Sequence, residues 1–167
     1  MTDAPGDLKL MALDEEDLAV LSAHAQDALV PARDFRWLPK ERRLALALSR
    51  FDWDGFAKGR RERVICGLHF DRVTKVSSIG IDRDDPDLLL ELLAIGFAPD
   101  HAPSGSVLLP FSGGAALKLD VECLEAQMHD VGPRWTVAAC PAPTLDDAPD
   151  WLAAAAAAGL PPLPDRD

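Results

Sequence analysis

The sequence predicts an α+β domain, a mainly antiparallel sheet covered by a helix near the N-terminus. Several short stretches alternate apolar and polar residues with period two, as strands with one buried face do. The stretch after Asp14 instead spaces its apolar residues as a helix does. At 167 residues the chain fits one domain, large enough to bury a core without disulfides or metals. Two variants remain open: a half-open barrel, or two repeated three-stranded units, since residues 66–70 and 107–111 have similar patterns.

The clearest element is a hairpin within residues 107–123. Its second arm alternates apolar and charged residues without a break from Leu117. A loop of two glycines would place Leu109 opposite Lys118 and bury the lysine. A three-residue loop, Ser112–Gly114, instead pairs Leu109 with Leu117. We therefore predict the longer loop, with a glycine in the left-handed conformation.

The N-terminal part predicts one short strand and the covering helix. Residues 8–13 have the alternation of a strand. The acidic run that follows suits the free amides and the positive dipole end of a helix, with Asp14 as the N-cap. Apolar residues continue at helical spacing as far as Leu29, and Pro31 ends the helix. Its apolar stripe is expected to lie across the sheet.

Period two returns in the middle of the chain. Residues 35–48 predict a second hairpin whose four-residue loop makes Trp37 face Leu44. Residues 52–63, with two glycines and four basic residues, predict an exposed loop. Residues 64–70 predict a strand, and residues 73–81 its less regular partner, where two adjacent serines indicate a bulge or an edge.

Two further helices and a tail complete the prediction. Asp85 as N-cap and Pro86 at the first helical position predict a helix over residues 88–93. Residues 96–97 are expected to be extended. Residues 124–131 predict a short helix that ends at Gly132. Residues 1–137 are then one domain, and residues 138–167, rich in proline and alanine, form a flexible tail or a loosely docked helix.

Charge and cysteine content limit the possible functions. The formal net charge is -11, which opposes binding to nucleic acid or anionic lipid. Residues 33–63 nevertheless hold ten of the 17 basic residues. The three cysteines are widely spaced, which favours reduced thiols and a cytoplasmic protein. We see neither a signal-peptide pattern nor an apolar run long enough to span a membrane.

No pattern predicts catalysis, a cofactor or a metal. The glycines at 113–114 join two strands and do not open a helix, unlike a phosphate-binding loop. The acidic residues 82–87 lack the glycine and the glutamate of a calcium loop. Cys66 and His69 are three residues apart in a strand, so they point to opposite faces and cannot share a zinc ion. The sequence therefore leans against an enzyme.

The leading functional hypothesis is a non-enzymatic domain that binds another protein. Cations and aromatic rings occur together in the loop of residues 52–63, a mixture that suits an acidic protein or single-stranded nucleic acid. The net charge opposes the nucleic acid. The alternative is that the tryptophan packs on the sheet while the arginines pair with acidic groups of the same molecule. The candidate residues are Trp53, Phe56, Lys58, Arg60, Arg61 and Arg63.

The second hypothesis is a small-molecule-binding protein, or an enzyme of unrecognised type. Glu125, His129 and Asp130 form the most compact acid and imidazole group of the sequence. They would lie near the mouth of a pocket between the N-terminal helix and the sheet. A simple interaction of His129 and Asp130 with a helix end explains them equally well.

Four strings of residues carry a resemblance. They are Leu38-Pro39-Lys40-Glu41-Arg42-Arg43, Ser49-Arg50-Phe51-Asp52-Trp53, Gly80-Ile81-Asp82-Arg83 and Val121-Glu122-Cys123-Leu124-Glu125-Ala126-Gln127. In these strings the chain resembles the short bacterial proteins grouped as domain of unknown function 2948, over about residues 8–135. The resemblance implies no assigned activity, cofactor or catalytic residue. The strings coincide with predicted turns, a cap and the hairpin, which suits structural roles as easily as functional ones.

Overall fold

Two antiparallel sheets enclose one hydrophobic core. The computed structural model describes residues 8–82 and 84–138. The strands are β1 Lys9–Ala12, β2 Leu29–Pro31, β3 Arg36–Leu38, β4 Arg43–Phe51, β5 Glu62–Phe70, β6 Val73–Ile79, β7 Leu89–Glu91, β8 Gly96–Pro99, β9 Gly105–Pro110, β10 Ala116–Val121 and β11 Ala126–Thr136. The helices are α1 Glu15–Ala25 and α2 Trp53–Ala57, with 3-10 turns at Ala32–Asp34 and Ser112–Gly114.

Among the residues that the structure describes, the larger sheet has seven strands and the smaller has four. The larger runs β1-β11-β5-β4-β2-β7, with β3 also paired to β4, and the smaller runs β6-β10-β9-β8. A bridge between Leu92 and Phe111 joins them. The α+β class with a mainly antiparallel sheet and an early helix is confirmed. Within the described residues the sheets do not close into a barrel.

The β9–β10 hairpin has the predicted register. Leu109 pairs with Leu117, and both side chains are fully buried. The loop is Ser112–Gly114, with Gly113 at a φ of 79°, in the left-handed region. Lys118 lies on the opposite face and is half-buried. Since a shift by one residue would have buried this lysine, the apolar pattern selects the register.

Helix α1 begins as predicted but ends earlier. The Asp14 carboxylate accepts a hydrogen bond from the Asp17 amide at 2.8 Å and caps the helix. The expected end at Pro31 is wrong, because the helix stops at Ala25 and Leu29–Pro31 forms β2. Asp27, at a φ of 62°, turns the chain between them. Strands β4 and β7 then flank β2, so the sheet supplies the backbone partners that a longer helix would have supplied.

The second hairpin is confirmed, since Trp37 pairs with Leu44. The strand over residues 64–70 is also confirmed, with alternating burial in β5. Its expected pairing with residues 73–81 is wrong: β6 joins β10 in the smaller sheet, while β5 lies between β4 and β11. The chain reverses at Arg72, which has a φ of 63°, and leaves one sheet for the other. The predicted edge at the two serines is confirmed, because β6 is an edge strand.

The two helices predicted later in the chain are wrong, because both segments form strands. The predicted helix over residues 88–93 contains β7, and the Asp85 carboxylate accepts from the Asp87 amide in a turn at 2.9 Å. Asp and Pro favour turns as well as helix starts, which explains the error. The predicted helix over residues 124–131 is the start of β11, whose burial alternates. Strands β1 and β5 flank β11 there and satisfy its backbone.

Two other expectations concern loops and ends. Residues 52–63 are not one loop, because they contain α2 and the start of β5. Residues 96–97 are extended as expected, in β8. The predicted tail, residues 138–167, lies outside the described residues apart from Ala138. In the part of the chain that is described, no helix has the length and apolar character needed to cross a membrane.

Candidate functional site

The predicted partner-binding residues lie on α2, on the turn after it and at the start of β5. The Asp52 carboxylate accepts a hydrogen bond from the Gly55 amide at 2.9 Å and caps α2. A Cβ atom on Gly55 would lie 2.6 Å from Oδ2 of Asp52. The cap therefore requires a glycine, because any side chain would push the carboxylate away.

An aromatic cluster supports α2. The ring of Phe51, which is buried, lies 4.7 Å from that of Trp53 and 5.8 Å from that of Phe56, between centroids. The Trp53 indole donates to the Gln26 carbonyl at 3.2 Å. Phe56 remains 38% exposed. Trp53 thus connects α2 to the chain after α1, while Phe56 keeps part of its ring exposed to solvent.

Three exposed cations stand beside Phe56. They are Lys58, Arg60 and Arg61, and with Phe56 we call them the cationic corner. Arg60 Nε lies 3.0 Å from an oxygen of Glu62, an exposed pair of small energetic value. Arg61 donates to the Ala138 carbonyl at 3.2 Å. Four of the six predicted residues are thus exposed and lie within six residues of one another in the chain.

Arg63 belongs to a different cluster. It is half-buried and donates to the Ser49 carbonyl at 2.9 Å. Burial lowers the pKa of Arg63, against the attraction of Asp27 and Glu91. Burial and a hydrogen bond with Asp27 raise the pKa of Glu91. This cluster makes Arg63 an internal partner of acidic groups, as the alternative interpretation of the arginines expects.

A buried ion pair lies behind α2. Arg50 on β4 holds Asp130 on β11 through two hydrogen bonds, Nε to Oδ1 at 2.8 Å and Nη2 to Oδ2 at 2.7 Å. The Leu8 amide also donates to Asp130, at 2.9 Å. Two parallel bonds between a guanidinium and a carboxylate form the strong bidentate arrangement. The pair joins β4 to β11 and holds the residue before β1.

Arg134 extends this pair to α2. Its Nη1 atom lies 2.7 Å from Oδ2 of Asp52, and its Nη2 atom lies 3.5 Å from Oδ2 of Asp130. The carboxylate that caps α2 is therefore held from β11. We call Arg50, Asp52, Asp130 and Arg134 the buried ionic network. It fixes the orientation of α2 and of the cationic corner relative to the larger sheet.

Arg50 and Asp52 keep their charges in the network. Burial opposes the charge of Arg50, but the hydrogen bonds and attraction of Asp130 outweigh it and raise the pKa of Arg50. Burial would likewise raise the pKa of Asp52, but the Gly55 amide and the Arg134 guanidinium outweigh it and lower that pKa. Both groups remain ionised near neutral pH. Their arrangement suits a structural role better than proton transfer.

Sequence reasoning missed this network, although one signal was present. Arg50 continues the buried phase of β4 after Leu44, Leu46 and Leu48. A charged residue at a buried strand position requires a buried partner. Its partner Asp130 is 80 residues away, in a segment predicted to be a helix. The strand assignment of β11 was therefore needed before the pair could be recognised.

The residues of the second hypothesis do not come together. Asp130 faces the core in the buried ionic network, while its neighbour His129 lies on the other face of β11. Glu125 accepts a bond from Arg72 at 3.3 Å. Residues next to each other in a strand point to opposite faces, so His129 and Asp130 cannot line one pocket mouth.

Cys66 and His69 lie on opposite faces of β5, as the sequence predicts. Cys66 is fully buried, and burial beside Asp130 raises the pKa of its thiol to about 12. His69 is half-buried on the outer face. Within residues 8–82 and 84–138, no group of three His, Cys, Asp or Glu side chains is placed to hold a metal ion. That purified protein contains no stoichiometric zinc stays a prediction.

The outer face of the larger sheet contains a shallow trough of about 440 Å³, which the sequence analysis did not anticipate. Its walls include His69 and His129. Nε2 of His69 lies 3.6 Å from Asp71, and Asp71 accepts from Arg43 at 2.7 Å. Burial lowers the pKa of His69, although Asp71 attracts its proton. The trough is a second exposed surface besides the cationic corner.

The fold and these surfaces define a two-sheet α+β domain whose core contains a buried ionic network. The model of one protein family, described as protein of unknown function (DUF2948), matches residues 8–143. The chain belongs to this family, as its sequence strings predict. No curated protein and no solved structure matches the chain.

Proposed function

We propose that this protein is a non-catalytic, cytoplasmic interaction domain that binds an acidic segment of another protein through the cationic corner. One observation carries the proposal. Phe56, 38% exposed, stands beside the exposed cations Lys58, Arg60 and Arg61 in a chain of net charge -11. An exposed ring among concentrated positive charges is a surface that an acidic partner with an apolar side chain would fit.

The support beneath the corner favours binding. Phe56 packs on Phe51 and Trp53, and the buried ionic network holds the cap of α2. A surface that is already ordered loses less conformational entropy when a partner binds. Aromatic anchors contribute most to holding a complex, whereas charges at the rim chiefly govern the encounter rate and its salt dependence.

The positions of Arg50 and Asp52 suit support for the corner and not a catalytic role. The pKa values of Arg50 and Asp52 are shifted, and the two side chains lie close together inside the protein. A catalytic group with a shifted pKa would be expected to face a cleft where a substrate can reach it. The widely spaced cysteines support the cytoplasmic location.

The experiment is a quantitative binding assay. Proteins captured from a bacterial cytoplasmic extract at low salt are purified, and their affinities are measured against salt concentration. Replacing Lys58, Arg60 and Arg61 with alanine should lower the affinity and flatten its salt dependence, with little change in melting temperature. Phe56→Ala should cost about 2 kcal/mol of binding free energy, chiefly through faster dissociation.

The matched control replaces Arg33, Lys40 and Lys75 with alanine. These three cations are exposed on other elements, so the control changes net charge equally. It should leave affinity and salt dependence close to those of the unchanged protein. Equal weakening by both triple variants would indicate a general charge effect. Normal binding by the corner variant would place the surface elsewhere, and its unfolding would show that the cations are structural.

A further inference from the structure

The outer face of the larger sheet has a floor of small residues. Ala45 and Ala47 on β4 and Gly67 on β5 lie at the centre of the trough and keep part of their surface accessible to solvent. A Cβ atom on Gly67 would lie 3.5 Å from the ring of His129. Antiparallel sheets commonly leave one face to water, but small residues in the middle of the face leave room for something to lie close to the backbone.

Positive charge borders this floor. The exposed Arg36 lines the trough beside His69 and His129, with Asp34 as the acidic residue of the lining. A second depression of about 430 Å³ continues the face past His129 and contains Lys9 and Met11. Met11 is 53% exposed. The combined face is apolar at its centre and bears cations at two sides.

The described chain ends beside the start of β5, in the same sheet. The Val137 amide donates to the Arg61 carbonyl at 2.8 Å, directly before β5. From Arg61 to Gly67 a strand covers about 20 Å. Between Ala138 and Trp151 stand residues 139–150, which reach about 40 Å when extended. Trp151 is therefore within reach of the trough with chain to spare.

The chemistry of the following residues complements the face. Residues 139–167 contain five aspartates and one arginine. Trp151 and Leu152 are followed by six consecutive alanines, whose small side chains suit close approach to a small-residue floor. We propose that residues 139–167 dock on the outer face of the larger sheet, with Trp151 over Ala47 and Gly67 and the aspartates toward Arg36 and Lys9.

The tether favours this occupant over a second molecule. A linker of about a dozen residues sets an effective concentration on the order of millimolar. A contact too weak to hold a separate chain at micromolar concentration is then populated within one chain. Docking would cover the trough and leave the cationic corner exposed. The two surfaces are separate, and the inference therefore does not depend on the proposed function.

Photo-crosslinking of the full chain tests the docking. Trp151 is replaced with p-benzoyl-phenylalanine, the protein is irradiated at low concentration, and crosslinked peptides are mapped by mass spectrometry. The expected products are crosslinks within one chain to β4 and β5 at the trough. Their yield should not change on dilution. Arg36→Glu should lower the yield about threefold to fivefold, as expected for reversing one exposed charge.

Matched variants separate docking from general effects. Lys75→Glu, an equal change at an exposed cation on β6, should leave the yield unchanged. Ala47→Arg should abolish the crosslinks, whereas Ala116→Arg, on the half-exposed face of β10, should not. If Ala47→Arg fails to fold, the comparison of Arg36→Glu with Lys75→Glu decides. Crosslinks between two chains, crosslinks away from the trough, none at all, or equal yields in the two charge variants would each overturn the proposal.

Discussion

At the residue scale, the Arg50–Asp130 pair stabilises the fold only while both partners are present. Each side chain is almost completely buried, at 2% and 0% exposure. Burial of two charges is costly, and their attraction roughly offsets that cost when the hydrogen bonds are well made. Removal of one charge leaves the cost without the compensation. Removing one partner should therefore destabilise the protein by more than the intact pair stabilises it.

Asp130→Asn should lower the free energy of unfolding by about 3 to 5 kcal/mol, because the Arg50 charge stays buried beside a neutral amide. Urea denaturation followed by circular dichroism measures it. Glu41→Gln removes an equal charge at an exposed site and should cost less than about 0.5 kcal/mol. A double variant, Arg50→Met with Asp130→Leu, should recover most of the loss. Similar values for Asp130→Asn and Glu41→Gln would contradict the pairing.

Ionisation of Glu91 should lower the stability of the folded protein as pH rises. Burial and the hydrogen bond with Asp27 raise its pKa in the folded state, so the folded protein binds its proton more tightly than the unfolded chain does. By linkage, stability falls as pH rises from the ordinary value, about 4.3, through the raised pKa of the folded state. Asp27 and Arg63 are the charged groups that act on Glu91.

Glu91→Gln should remove this loss while keeping a side chain that can bond Asp27. At neutral pH we expect a gain in unfolding free energy of about 0.5 to 1.5 kcal/mol, comparable to one hydrogen bond. At pH below about 4 the variant and the unchanged protein should be equally stable. Melting temperatures measured across this range provide the test, and a stability difference that grows toward acid pH would reverse the inferred sign.

At the element scale, the β9–β10 hairpin shows how strongly a period-two pattern specifies register. Leu119 pairs with Val107, and neither retains exposed surface. Lys118, next to Leu119, lies on the opposite face. Leu119→Ala should cost about 2 to 5 kcal/mol, because the sheets cannot fully close the cavity that remains.

Lys118→Ala is the matched control in the same strand and should change stability by less than about 0.5 kcal/mol. Both values come from chemical denaturation under the same conditions. If the lysine variant lost as much stability as the leucine variant, the two faces of β10 would not differ as the register requires. The comparison therefore tests the hairpin and not only the presence of a core.

The helix wrongly predicted over residues 124–131 has a physical cause of its own. Leu124, Met128 and Val131 have helical spacing, yet Ala126, Met128 and Asp130 are the buried residues of β11. Short apolar segments satisfy both periods. What selects the strand is the presence of β1 on one side and β5 on the other, which a local pattern does not contain.

At the scale of the whole molecule, one core spans both sheets. Leu46 and Leu68 of the larger sheet and Leu117 of the smaller belong to one cluster of buried side chains. The bridge from Leu92 to Phe111 adds a direct backbone link. Loss of either sheet would expose the apolar face of the other. The two sheets should therefore unfold together.

Thermal unfolding should be a single transition. Trp37, Trp53 and Trp135 belong to the larger sheet or to α2, so their fluorescence reports that part, whereas far-ultraviolet circular dichroism reports both sheets. Coincident melting curves are expected of a two-state domain. Separate midpoints would show that the smaller sheet is an independent unit.

The sequence by itself determined the features that depend on neighbouring residues. They include the hairpin registers at Leu109 and Trp37, the cap at Asp14, the strand of Cys66, the mainly antiparallel class and the family. The family follows from the four strings of residues. Each structural feature depends on side-chain alternation, turn length or a cap, all of which act over a few residues.

The tertiary structure alone decided which strands are neighbours and which charges meet. In the structure β6 belongs to the smaller sheet, α1 ends at Ala25, and β7 and β11 are strands. The reason is that backbone partners from distant segments outweighed weak local preferences. The tertiary structure also joined Arg50 to Asp130 across 80 residues and held the cap of α2 through Arg134. These outcomes depend on desolvation and long-range pairing, which arise only when the chain closes on itself.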